Sequence, residues 1–327
     1  MRQCDFNAAR QEPTTRREFL GRSATGLAAI TLGSTSVRGT EGATTKGRVV
    51  IVTHPNALIR GYQADSGVLF KMLEAGIKEL TGAESDQVAW RRIAASGQRV
   101  TMKWNELGGP RIQTHPELRR LVRHALSKHA DVPEERIVDY SHNETSGEAA
   151  RTVEVPIPSR GRPARLRRLF TDFTDVLINL PVLKTHLGKG ISVALKNHYG
   201  SITNPGDFHY WDTHEMHKSI VELNAHPAIR GKTRLVLCDA LQPQWDLGPT
   251  HDPGRRWNFN ALILGFDPLA VEVVGLDIIE QKRREMLRSG PRWQLPYARK
   301  MIAYGQEMGL GVGDPARIDV HRVALKG

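Results

Sequence analysis

The sequence predicts an α/β fold, a mostly parallel sheet with helices on both faces plus loop insertions. Three observations predict it. Short apolar, β-branched runs alternate with segments whose apolar residues recur at helical spacing, and strands that alternate with helices pair in parallel. The strand runs are apolar almost throughout, as strands covered on both faces are. The chain has 327 residues, 39% hydrophobic and 25% charged, enough for one large α/β core. No apolar run reaches the roughly 20 residues of a membrane-spanning helix.

Residues 1–45 stand apart from this pattern. Arg16-Arg17 precede Phe19-Leu20 and a weakly apolar stretch from Ser23 to Val37, rich in glycine, alanine and threonine. The segment resembles a twin-arginine export signal. It implies the twin-arginine export machinery as a partner, a periplasmic or other extracytoplasmic location, and no membrane span in the mature chain. One α/β domain is expected over 46–327.

Within that domain, residues 48–53 read as a strand stopped by His54-Pro55. Residues 67–81 repeat Val68, Leu69, Leu73, Ile77 and Leu80 at helical spacing and end at Gly82. A second strand is expected over 99–107, a helix with Pro116 in its first turn over 115–130, and a third strand over 135–141. Prolines, glycines and arginines break the rhythm at 145–170, read as an insertion or hairpin; a second insertion is expected near 200–232. The pattern resumes with strand 175–180, helix 190–197 and a helix near 214–225. Strands 233–241 and 261–266, helix 267–286, a short helix from 296 and a last strand over 318–324 complete it.

The chain carries 46 Lys and Arg against 35 Asp and Glu, a formal net charge of +11. Its arginine run at 151–168 has few interleaved aromatics and no nucleic-acid motif, so it reads as a solvated face, which disfavours a nucleic-acid partner. Of the two cysteines, Cys4 lies in the export segment. Cys238 alone makes no intramolecular disulfide, and a cysteine-ligated iron–sulfur cluster of the usual kind needs about four thiolates. No cofactor is specified by the sequence.

Ligands of parallel sheets bind at the carboxyl ends of the strands. Lys103 and Asn105 end one strand; Asp139, Ser141, His142 and Asn143 follow the next. Lys184, Thr185 and His186 end the run "NLPVLKTH", Asp239 ends "LVLCD", and Asp267 follows "LILGF". A lysine after a buried strand is a desolvated ammonium suited to a carboxylate or phosphate, or to proton transfer. Lys184, His186 and Asp239 are therefore the catalytic candidates. Lys103, Asn105, Thr185, Lys196, Asn197 and Asp267 are the candidates for ligand binding. Lys196 and Asn197 equally suit a helix C-terminus, and Asp267-Pro268 equally suits a helix start. The run "HYWDTHEMH" makes His209, His214 and His217 candidate metal ligands, although its spacing is not H-E-x-x-H. Residues 246–257 read as a loop able to lie over the pocket, with Arg255 and Arg256 available to an anion.

The stretches "INLPVLKTHLGKGISVALKNHYG", "LVLCDAL" and "LILGFDPLAVEVVGLDII" resemble the domain-of-unknown-function 362 family over about residues 48–280. The family's patterned positions fall on Lys103, Asn105, Lys184, His186, Lys196, Asn197, Asp239, Gly248-Pro249 and Asp267. Many members look twin-arginine-exported or iron–sulfur-associated. This chain lacks a cysteine-rich ferredoxin-like module and has Glu272 where the pattern implies aspartate. The expected function is binding, and transformation by Lys/His acid–base chemistry, of a small anionic molecule, in an exported protein whose status as an enzyme the sequence leaves open. The alternatives are a non-catalytic extracytoplasmic binding protein for an anionic metabolite or metal complex, and a histidine-ligated metalloenzyme.

Overall fold

The apolar runs become the inner strands of one sheet, where alternate side chains enter two separate cores. A computed structural model describes residues 47–186, 190–209, 216–287 and 291–327. Residues 1–46, where an export signal is expected, and His214 lie outside the described residues. In chain order the elements begin β1 (Gly47–Thr53), β2 (Leu58–Arg60), β3 (Gln63–Ala64), α1 (Ser66–Thr81), α2 (Asp86–Arg91), β4 (Val100–Trp104), α3 (Pro116–His129) and β5 (Ile137–Tyr140). They continue with α4 (Gly147–Ala150), β6 (Thr152–Ile157), β7 (Arg162–Arg167), β8 (Val176–Leu180), β9 (Val182–His186), β10 (Gly190–Ser192), α5 (Met216–Ala225) and α6 (Pro227–Arg230). The last are β11 (Thr233–Gln244), β12 (Ala261–Gly265), α7 (Pro268–Leu287), α8 (Pro296–Glu307) and β13 (Ile318–Ala324).

The main sheet runs β13-β1-β12-β11-β8-β4-β5, with β9 pairing β11 and β10 folding back on β9. Pairing is mostly parallel, as the alternation predicts. The exceptions are β10 and β12, the latter antiparallel to both of its neighbours. No helix longer than a turn separates β11 from β12, so the chain returns alongside instead of crossing over. Val50, Val52, Ile178, Leu237 and Leu264 meet α1–α3 through Leu69, Leu73, Trp90 and Val122. On the other face, Val49, Ile51, Leu177, Cys238 and Ile263 meet α5, α7 and α8 through Ile220, Val271, Ile279 and Met301. Each such side chain contributes about 1.5–3 kcal/mol by leaving water. Residues Thr45–Gly327 form one compact unit.

One local expectation changes. Residues 190–197 are not a helix: Gly190, at φ 83°, opens the short strand β10, and a 3-10 turn follows over Lys196–Ser201. An apolar run this short satisfies either period, and pairing with β9 decides it. The segment 145–170 contains the antiparallel hairpin β6–β7, which forms its own two-stranded sheet.

Candidate functional site

The carboxyl ends of β4, β8 and β9 and the turn at Lys196–Ser201 enclose a buried polar cluster. Strands covered on both faces bring the Lys103 and Lys184 stems inside, leaving them 2% and 0% exposed. Lys103 Nζ donates to Trp104 O at 2.7 Å and to Asn197 Oδ1 at 3.4 Å. Asn105 Nδ2 shares that Asn197 oxygen at 3.4 Å, and Asn197 Nδ2 donates to Asn179 Oδ1 at 2.7 Å and Lys103 O at 3.1 Å. Gly200 borders the amine, where a Cβ would lie 2.9 Å from Nζ. Burial lowers the Lys103 ammonium to about 7, against a small opposing pull from Glu106. Glu106, Ser141 and His142 stand nearby: Ser141 Oγ donates to Glu106 Oε2, and His142 Nδ1 is 4.0 Å from the same carboxylate.

Lys184 Nζ donates to Asn105 Oδ1 at 2.8 Å, to Ile112 O at 3.2 Å and to Leu107 O. Its three N–H bonds are thus met by one side chain and two carbonyls of the loop after β4. Burial, and then the charges of Lys196, Arg256 and Lys103, lower it to about 7 as well. Among the described residues no carboxylate hydrogen-bonds either lysine. The next residue, Thr185, accepts from Gly248 N at 3.1 Å. Gly248 packs so closely on this strand that a Cβ would fall 2.0 Å from Thr185 O. Buried Gln244 shapes the same loop by donating to Thr250 O at 2.8 Å and Asp246 O at 3.0 Å.

Asp239 has a different partner from the lysines. Its Oδ2 accepts from His115 N at 2.8 Å and from His115 Nδ1 at 2.7 Å, and its Oδ1 accepts from Leu241 N at 3.2 Å. His115 Nε2 donates to Tyr62 O at 2.9 Å. Both ring nitrogens face acceptors, so the ring carries both protons as an imidazolium. Burial opposes charge on each partner, yet the Asp239 carboxylate holds His115 above the ordinary histidine value and His115 holds Asp239 below the ordinary carboxylate value. This buried pair joins the start of α3 to β11. Sequence reasoning missed His115, whose place before Pro116 reads only as a helix start.

His186 ends β9 half-buried, its ring centroid 5.9 Å from that of His209. His209 Nδ1 donates to Pro205 O at 2.7 Å, which leaves Nε2 to accept from Lys196 Nζ at 3.0 Å. The Lys196 ammonium also lies 4.7 Å from the Tyr199 ring centroid. His217 packs edge-on against Tyr304 with centroids 6.3 Å apart. Among the described residues, no three or more His, Cys, Asp or Glu side chains gather as a metal site.

Asp267 does not join the cluster. Because β12 runs antiparallel, its carboxyl end lies beside Val49 and Val236, at the entry end of β1 and β11. Asp267 there accepts from Leu269 N at 2.8 Å, Ala270 N at 3.0 Å and Val312 N at 2.7 Å, capping α7. Glu272, one turn on, is buried and accepts from Leu195 N at 2.9 Å, and burial raises its carboxyl to about 8. Arg255 of the 246–257 loop pairs with Asp252 and Asp246, whereas Arg256 lies 5.3 Å over the Tyr62 ring.

The model of the domain of unknown function DUF362 matches residues 110–277, more than half of the chain. The chain belongs to the DUF362 family. The matched segment holds Lys184, Asn197, His115 and Asp239, while Lys103 and Asn105 precede it. No curated protein matches this DUF362 chain. A solved structure from Thermotoga maritima, a structural-genomics target, is similar at 11% identity and a TM-score of 0.33. That alignment covers 68% of this chain and 61% of the other, so less than two thirds of the other's length is spanned.

Proposed function

We propose that this DUF362 protein, exported by the twin-arginine route, binds a small carboxylate- or phosphate-bearing molecule and moves a proton on it with the Lys103 amine. The observation that carries this reading is two buried lysines, both lowered to about 7, held by amide and carbonyl oxygens with no carboxylate hydrogen-bonded to them among the described residues. Near neutral pH such an amine exists in both forms, so it takes and returns a proton with little driving force against it. An entering anion supplies the missing countercharge and draws a proton onto the lysine. Lys184 has three protein acceptors and fixes the loop after β4; Lys103 has two and keeps a donor position for a ligand. Asn105 and Asn197 orient the amines, Lys196 and Thr185 flank the anion, and His186 is the second proton carrier. Asp239 acts through the loop it holds and not on the substrate.

The test begins with a thermal-shift screen of carboxylate and phosphate metabolites. Calorimetry of each hit, in two buffers of different ionisation enthalpy, then counts protons taken up. Lys103→Met is expected to lose proton uptake and to slow turnover about a hundredfold or more. If Lys103→Met and Lys184→Met both fold and keep binding, uptake and turnover, the reading fails. The saturation of Lys184 by protein oxygens favours one alternative, capture of the anion without chemistry. That alternative gives proton uptake on binding and no turnover with any hit.

A further inference from the structure

A second cationic space lies outside the lysine cluster. The β2–β3 turn and the loop that follows β11 wall a cleft of about 560 Å³, within the range of small-molecule sites. Tyr62, Arg111, Gln242, His251, Arg256 and Asn258 line it, and no Asp or Glu is among its described lining residues. Arg256 donates from Nε and Nη2 to Gln242 O at 3.2 and 2.8 Å, so Nη1 remains for a ligand. Its guanidinium sits over one side of the Tyr62 ring, which also stacks on His115 at 4.2 Å. Gln242 Nε2 donates to Gly61 O at 2.8 Å and to Asn258 Oδ1 at 2.7 Å, so the Asn258 amide N–H groups remain as donors. Burial and then the charges of Arg256 and Arg111, against an opposing pull from Asp252, push His251 below its ordinary value, which favours a neutral imidazole beside the two guanidinium groups.

We infer that this cleft binds the phosphate group of a small organic phosphate monoester, with Arg111, Arg256 and His251 as its donors and Tyr62 beside its organic part. Two guanidinium groups beside an imidazole exceed what one carboxylate neutralises. A phosphate monoester carries about −1.5 to −2 charge near neutral pH and offers three acceptor oxygens to those donors. The inference goes beyond the lysine chemistry, since none of the lysines of that cluster lines the cleft.

Isothermal calorimetry on the full chain tests it, with phenyl phosphate as probe and benzoate and inorganic phosphate as comparisons. Phenyl phosphate is expected to bind one per chain, and both comparisons about tenfold or more weakly. The Arg111→Gln/Arg256→Gln variant weakens phenyl phosphate by about tenfold or more, and Lys103→Met leaves it unchanged. Arg256 contacts Tyr62 and could matter for folding, so Arg111→Gln alone, at an exposed position, must also weaken the probe. No binding at millimolar phenyl phosphate, equal binding by the arginine variants, or equal affinity for benzoate or inorganic phosphate overturns the inference. Loss of binding in Lys103→Met moves the anion to the lysine cluster and overturns it too.

Discussion

His115 and Asp239 lie 124 positions apart, and each meets the other with a buried hydrogen bond of 2.7 Å. Removing one partner of such a pair strands the other charge without water, which costs about 3–5 kcal/mol. His115→Ala is therefore expected to lower unfolding free energy by that order, measured by urea denaturation, and to raise the Asp239 pKa. The pH dependence follows from the two shifts. The raised His115 contributes fully below its unfolded value of about 6.5 and loses its contribution as pH climbs through the folded value; the lowered Asp239 contributes above about 3.9 and loses it as pH falls. The parent's stability from this pair is thus full between about pH 4 and 6.5 and is lost at alkaline pH. An NMR titration of the His115 ring in the parent with a midpoint below about 6.5 contradicts the imidazolium assignment. Lys103, Asn105, Lys184 and Asn197 were legible in sequence because each ends or follows an apolar run. His115 was not, because its partner is remote in sequence and Pro116 already explains a histidine there as a helix start.

At the scale of elements, the loop after β11 owes its seat to one residue without a side chain. A methyl group on Gly248 would fall 2.0 Å from Thr185 O, inside any contact distance, so strand or loop must move. Gly248→Ala is expected to cost about 1–3 kcal/mol or more. It should also speed amide exchange at Gly248, whose N–H is held by Thr185, while α1 amides stay protected. Unchanged exchange at Gly248 would mean the loop is held from elsewhere. The helices α1, α3 and α7 were legible from apolar spacing, Gly82, Pro116 and Asp267-Pro268, which are local signals. The strand β10 was not, because Gly190 to Ser192 acquires its state only by pairing with β9. The direction of β12 was equally hidden. Its run of Ala261 to Gly265 is apolar whichever way it points, and that direction places Asp267 at the far end from Lys184.

For the whole molecule, two buried amines make stability depend on pH in a defined sense. Lys103 and Lys184 have folded values of about 7, against about 10.4 in an unfolded chain. Between those values the unfolded chain binds more protons, so the lysine contribution to stability rises with pH from about 7 to 10 and is flat below 7. Glu272, raised to about 8, acts in the opposite sense between about 4.3 and 8, as does His115 above its unfolded value. The net positive charge of +11 also falls as pH rises, which relieves repulsion in the compact state. These other effects are common to the parent and to the Lys103→Met/Lys184→Met variant, so the difference between their unfolding profiles isolates the two amines. Denaturant midpoints measured from pH 6 to 10 should rise more steeply above pH 8 in the parent than in the variant. Parallel profiles would mean that water reaches both amines and that they keep ordinary ammonium character, removing the physical basis for a lysine that trades protons at neutral pH.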